Sequence, residues 1–263
     1  MREIFRAVRE FMKKADMILL ALCVAASVFG VVAIASATNY LGGGRYVRTQ
    51  IIALLLGILC YVLLTLIDVD IIAERRELLL IFCTLFISLL FIWGDTQQGN
   101  RSWLNFSWLP FSIQPAELCK IPFILILAKV MSVKQEKISA PTTILRIGGV
   151  TVFLFVLIVA ASEDLGVALQ YLFIFVIMAF VGGVNFMWFL GALGALALAA
   201  PTIWTHLSDD RRSRILVLFD PTIDPAAQDE RYQMNRSLRA LQNGGIRGQG
   251  LFHGTMVQSN SLP

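Results

Sequence analysis

Hydrophobic residues run along this chain in long blocks separated by short polar connections. A helix that crosses the hydrocarbon core of a bilayer needs roughly 20 predominantly apolar residues. Seven blocks meet or approach that length, at about 17–37, 47–67, 78–93, 111–133, 144–161, 167–183 and 186–205. The third is short, and its neighbours are expected to extend it. The last two meet at Gly182-Gly183-Val184-Asn185, a tight turn by composition. The pattern predicts an all-α, polytopic membrane helix bundle over 17–205.

The flanks have a different texture. Ahead of the first block, Ile4, Phe5, Val8, Phe11 and Met12 alternate at helical spacing with Arg2, Arg6, Arg9 and Lys13. That segment, 1–16, reads either as an amphipathic helix on the inner leaflet or as a charged topogenic tail. Beyond the last block, 206–263 alternates amphipathic pieces with turns. Arg211-Arg212-Ser213-Arg214 precedes Ile215-Leu216-Val217-Leu218-Phe219, and Asp220-Pro221-Thr222-Ile223-Asp224-Pro225 is rich in turn formers. Tyr232 to Leu241 returns to helical spacing, and glycines recur from Gly244 to Gly250.

Composition strengthens the membrane reading. Only 15% of the 263 residues are charged and 57% are hydrophobic, against about 25% charged in a soluble domain. Basic residues set the orientation. With the N-terminus inside, eleven fall inside (Arg2, Arg6, Arg9, Lys13, Lys14, Arg75, Arg76, Lys129, Lys134, Lys137, Arg146) and three outside (Arg45, Arg48, Arg101). The N-terminus is therefore expected in the cytoplasm, and 206–263 is expected to be an extracytoplasmic loop. The net charge of +4 comes from residues flanking apolar blocks, which points to anionic lipid and away from nucleic acid. The charged start leads into a full-length block without a cleavage site, so no signal peptide is expected. Cys23, Cys60, Cys83 and Cys119 all fall inside apolar blocks and read as small core residues, with no disulfide framework and no metal-ligand spacing.

The chemistry concentrates in the fourth block. Glu117 and Lys120 stand three residues apart in Gln114-Pro115-Ala116-Glu117-Leu118-Cys119-Lys120, on one helical face. Charge at membrane depth is costly and usually faces a protein interior or a wet cavity. The pair is either a structural ion pair or part of a polar cavity, and the two roles overlap. Pro115 suits a helix start, and Gln114 before it can cap the helix or line the mouth. Upstream, Gly99-Asn100-Arg101-Ser102-Trp103-Leu104 carries Trp103, which with Trp108 fits an interfacial aromatic belt; alternatively Arg101 is an anion ligand at the same mouth. Ser162-Glu163-Asp164-Leu165-Gly166, joining blocks five and six, is a solvated turn or a source of site carboxylates. The glycines at 244–250 lack the setting and the Lys-Ser/Thr ending of a phosphate loop. His206 and His253 have no ligating neighbours, and no Ser-His-Asp or Cys-His pattern stands out.

In order and spacing these motifs resemble the SEDS family, the RodA/FtsW/SpoVE proteins of bacterial cell-wall growth. The stretch at 99–104 is similar to the family's Gly-x-x-Arg-Trp, with one extra residue between Arg101 and Trp103. The stretch at 114–120 resembles Gln-Pro-Ser-Glu-x-x-Lys, with Ala116 for Ser. Glu163-Asp164-Leu165-Gly166 resembles Pro-Asp-Leu-Gly-Thr, with Glu163 for Pro and Val167 for Thr. In the tail, Arg214-Ile215, Phe219-Asp220-Pro221, Asp224-Pro225, Tyr232-Gln233, Ser237-Leu238, Gly244-Gly245, Gly250-Leu251 and Leu262-Pro263 follow the family order.

The resemblance implies polymerisation of peptidoglycan from lipid II by glycosyl transfer, in the bacterial cytoplasmic membrane. It implies Lys120 and Arg101 as partners of the diphosphate, Asp164 and Glu117 as positioners of sugar or of Lys120, and Gln114 and Arg214 as further cavity residues. It implies lipid II, nascent glycan, membrane lipids and a class B penicillin-binding protein as partners. It fixes no cofactor and leaves a divalent cation open. Family members have ten spans, with a Thr-Asp-Phe segment after Leu-Pro that supplies the favoured catalytic Asp. This chain is therefore expected to be a fragment, inactive alone, that stops before that residue. A lipid-linked precursor flippase and a membrane scaffold are the alternatives. Gly254-Thr255 followed by Gln258 leans toward the elongation branch over division.

Overall fold

The computed structural model describes residues 11, 15–39, 44–97, 100–106, 109, 111–207, 209–217, 219–220 and 230–258, with the side chains of 203, 206, 210, 211, 214, 230, 231 and 233 left aside. The expected amphipathic N-terminus, Gly99, Trp108, Asp224-Pro225 and Leu262-Pro263 lie outside the described residues. The chain divides into two compact units, one comprising 68–196 and the other 1–67 with 197–263.

In the unit of 68–196, helices α3 (Val69–Glu74), α4 (Arg76–Ser88) and α5 (Leu90–Trp93) lead into strands β1 (Gly94–Gln97) and β2 (Asn100–Leu104). Helices α6 (Pro115–Val133), α7 (Pro141–Ser162) and α8 (Leu165–Val181) follow, and α9 (Phe186–His206) begins here. The core follows from helical spacing. Ala116, Cys119, Phe123, Leu127 and Val130 share one face of α6, and Ile147, Thr151, Leu154, Ile158 and Ala161 share one face of α7. These rows pack with Cys83, Ile87 and Leu90 of α4–α5 and with Val167, Ala168 and Tyr171 of α8 in one buried cluster that also takes in Leu104. The opposite faces carry exposed Leu118, Ile121, Val152 and Phe173, which suits a helix whose solvent is lipid. Phe123 and Tyr171 meet at 4.8 Å between ring centroids, and the Tyr171 hydroxyl donates to the Ala116 carbonyl at 2.7 Å.

The first unit holds α1 (Met17–Ala37) and α2 (Gly44–Leu66), neither with a buried residue. Asp16 caps α1 by accepting from the amides of Ile18 and Leu19 at 3.1 and 2.9 Å. The tail contributes α10 (Asp209–Leu216), α11 (Glu230–Gly244) and α12 (Thr255–Gln258). Between the last two, Gly245, Gly248 and Gly250 take positive φ, so the glycine run is a tightly turned loop.

Several expectations shift. Four helices, Met17–Ala37, Gly44–Leu66, Arg76–Trp93 and Pro141–Ser162, are long and apolar enough to cross a membrane by length and composition. The third is two consecutive helices, broken at Leu89. The fourth block is helical only from Pro115. Ahead of it Ile113 pairs with Leu104 through two backbone hydrogen bonds of 2.8 and 3.0 Å, and proline at the first helical position fixes where the helix starts. The connection at 94–104 folds as an antiparallel hairpin, a β element in an otherwise helical chain. Cys83 and Cys119 are buried, whereas Cys23 and Cys60 are exposed on helices that bury nothing, which corrects their reading as core residues.

Candidate functional site

Lys120 is held from two helices. Its Nζ lies 2.7 Å from Glu117 Oε1, one turn back on α6, and it also donates to Gln170 Oε1 on α8. Its side chain is 16% exposed against 46% for Glu117, so the ammonium is the sheltered member. An unpaired lysine at bilayer depth costs about 2.5–3.5 kcal/mol or more, and two oxygen partners offset that cost. Glu117 sits in the first turn of α6, where the helix dipole favours a carboxylate. The backbone of Gln114 occupies the cap position, but its side chain makes no capping bond; its carbonyl accepts from the Glu117 amide at 3.0 Å. Gln114 therefore enters helix α6 through its main chain.

Asp164 does two things at the start of α8. Its Oδ1 accepts from the Val167 amide at 3.0 Å, capping the helix, and its Oδ2 accepts from the Ser102 hydroxyl of β2 at 3.3 Å. Glu163 before it adopts the left-handed conformation, φ 58°, which ends α7 and turns the chain into the cap. Ser102 is buried, and its neighbour Arg101 places its guanidinium 6.0 Å from the Phe91 ring centroid. Arg101 Nε is buried with no hydrogen-bond partner among the described residues. A buried donor left unmet costs about 1–3 kcal/mol. The hairpin that carries Arg101 and Ser102 depends on Gly94. A Cβ there would stand 2.4 Å from the Leu90 carbonyl oxygen and 2.6 Å from Arg101 Cγ.

Of the residues singled out from sequence, Arg101, Gln114, Glu117, Lys120 and Asp164 all lie in the unit of 68–196, on β2 and at the starts of α6 and α8. Arg214 lies on α10 in the other unit, and its side chain is outside the described residues. Three partners were not singled out: Gln170, Ser102 and Tyr171. Gln170 had a signal, as the sole amide side chain in the apolar run of α8. Ser102 had none, because its role depends on a hairpin that brings it across 62 positions to Asp164. Among the described residues no cluster of three or more His, Cys, Asp or Glu is arranged to hold a metal ion.

Comparison with known proteins gives the site a context. The sequence model of the cell cycle proteins FtsW, RodA and SpoVE matches residues 14–263. A protein of Geobacter sulfurreducens named as a probable peptidoglycan glycosyltransferase FtsW is 32% identical over 248 residues, covering 91% of this chain and 65% of that one. The peptidoglycan glycosyltransferase MrdB of Escherichia coli is 31% identical over 188 residues, covering 70% of this chain and 49% of that one. This chain thus spans less than two thirds of the length of these relatives. Among solved structures, one describing coordinated polymerization and crosslinking by a peptidoglycan synthase complex matches with a TM-score of 0.67 at 29% identity, covering 86% of this chain and 66% of that one. A point variant of the rod shape determining protein RodA of Thermus thermophilus matches with a TM-score of 0.56 at 29% identity, covering 68% of this chain and 58% of that one.

Proposed function

Because this chain belongs to the FtsW/RodA/SpoVE family of cell cycle proteins, we propose that it serves the polymerisation of peptidoglycan from lipid II in the bacterial cytoplasmic membrane. The observation that carries the reading is the Lys120–Glu117–Gln170 cluster, which ties the start of α6 to α8, together with the Ser102–Asp164 bond, which ties strand β2 to the start of α8. In the reaction, the 4-hydroxyl of an acceptor sugar attacks the anomeric carbon of a lipid-linked disaccharide. A glycosidic bond forms, the bond to the diphosphate breaks, and the hydroxyl proton leaves to a base. The leaving diphosphate gathers negative charge, and preorganised cations stabilise it. Lys120, sheltered and oriented by two partners, and Arg101, with its unmet Nε, are suited to that task. Asp164 is held at the start of α8 by its cap and by the bond from Ser102, and Glu117 orients Lys120. Gln114 is the proposed residue at the mouth.

Seven spans are proposed, with the N-terminus of the chain in the cytoplasm and 206–263 outside. Contacts between connections that this topology assigns to one side support it. Outside, Ser102 meets Asp164, and Phe252 meets Ser36 at the end of α1. Inside, Ser139 accepts from the Asn185 amide at 2.8 Å and the Trp188 indole at 3.0 Å, and Lys129 lies 3.9 Å from Glu74. A class B penicillin-binding protein is the proposed partner, in keeping with the synthase complex matched above. A flippase would also want charge beside a membrane groove. Purified protein, expressed from its native gene, incorporated in liposomes and given lipid II, separates the two. Glycan polymer without an added transferase supports polymerisation, and translocated lipid II without polymer overturns it.

A further inference from the structure

Residues 234–252 expose more apolar surface than a loop in water sustains. Met234, Leu238, Leu241, Ile246, Leu251 and Phe252 are all exposed, Leu241 by 71%. On α11 the first three recur at i, i+4 and i+7 and form one stripe, while Arg236 and Arg239 lie off it and Arg236 stacks on Tyr232 at 4.8 Å. An amphipathic helix of this kind buries its stripe in a partner or in a bilayer surface.

Position decides between them. The Phe252 amide donates to Ser36 Oγ at 2.7 Å, and Gln258 Nε2 donates to the Ser36 carbonyl at 2.8 Å. Ser36 is in the last turn of α1, a helix of membrane-spanning length. Phe252 is thus pinned where a span ends, at the boundary of the bilayer, and Gly244 at the end of α11 is at most about 28 Å of extended chain away. Phe252 holds a left-handed φ of 64°, an uncommon conformation for a bulky residue that persists where the surroundings enforce it. The pinned end, the unmatched stripe and the net basic charge of α11 all suit one occupant.

We propose that 234–252 is a membrane-interface strap. Met234, Leu238 and Leu241 enter the boundary between headgroups and acyl chains, Phe252 anchors beside them, and Ser36 ties the strap to the first span. The strap surface binds lipid, and it does so whichever reaction the other unit performs.

Substituted cysteines test it. Leu241→Cys, Phe252→Cys and Arg239→Cys are made separately in a variant lacking the four native cysteines, and the whole protein is reconstituted into phosphatidylethanolamine–phosphatidylglycerol vesicles. A water-soluble, membrane-impermeant maleimide is expected to label positions 241 and 252 about tenfold more slowly than 239, with Ser36→Ala restoring fast labelling at 252. Equal rates at 239 and 241 in vesicles would overturn the proposal. So would protection of 241 that occurs only when native membrane proteins are added, since the stripe would then serve a protein partner. A spin label at 241 provides a readout independent of thiol chemistry: collision with oxygen should exceed collision with a water-soluble nickel chelate, and the reverse order counts against the strap.

Discussion

Replacing Asp164 separates architecture from charge. Asp164→Ala removes the cap on α8, worth about 0.5–2 kcal/mol, and leaves the buried Ser102 hydroxyl without its acceptor, worth about 1–3 kcal/mol. Together the loss is about 1.5–5 kcal/mol, a fall in melting temperature on the order of 10 °C for a unit of this size. Asp164→Asn is different. Its amide oxygen can take the place of Oδ1 and accept from Val167 N, and its amide nitrogen, in the place of Oδ2, can donate to the Ser102 hydroxyl oxygen. Asn caps helices about as well as Asp, so stability should stay within about 1 kcal/mol of the parent. What Asn removes is the negative charge at the start of α8, beside Ser102. If that charge positions sugar or cation, polymerisation of lipid II should fall on the order of 100-fold in a protein that melts normally. Thermal melts in detergent and glycan-strand analysis on the same preparations provide the two readouts. Asn destabilising as much as Ala would refute the capping assignment, and full activity in the Asn variant would refute a role for the charge.

Two further substitutions probe the scaffold. Gly94→Ala forces a methyl group against the Leu90 carbonyl and Arg101 Cγ, so a cost of about 1–3 kcal/mol and loss of the hairpin are expected, measured by thermal melts and by proteolysis between α5 and α6. Tyr171→Phe keeps the ring against Phe123 but loses the bond to the Ala116 carbonyl, so a cost of about 0.6–1.7 kcal/mol with the fold retained is expected in unfolding titrations.

Much of this was legible in the chain. The helical, apolar character of the chain emerged from run length, and four helices, Met17–Ala37, Gly44–Leu66, Arg76–Trp93 and Pro141–Ser162, have the length that lipid demands of a crossing helix. Glu117 and Lys120 stood out because charge is scarce in such runs, and the structure pairs them with each other and Lys120 with Gln170. The hairpin did not emerge: Gly94-Asp95-Thr96-Gln97 has little strand propensity, and its pairing comes from the Leu104–Ile113 bridge and the packing of Arg101 over Gly94. Ser102 was hidden with it. The cysteines misled because an apolar neighbourhood means burial in a soluble core, whereas here α1 and α2 turn their apolar faces outward and Cys23 and Cys60 with them. Of the two readings of Gln114, the side-chain cap is excluded, since a capping position does not oblige its side chain to cap.

The most direct test of the site is the charge on Lys120. Lys120→Met keeps the volume and removes the cation, and Lys120→Arg keeps the cation; both are assayed for polymerisation of lipid II in liposomes alongside a thermal melt. The geometry predicts a loss of at least about 100-fold for Met in a folded protein, with partial activity for Arg. Undiminished polymer from a folded Met variant would contradict it.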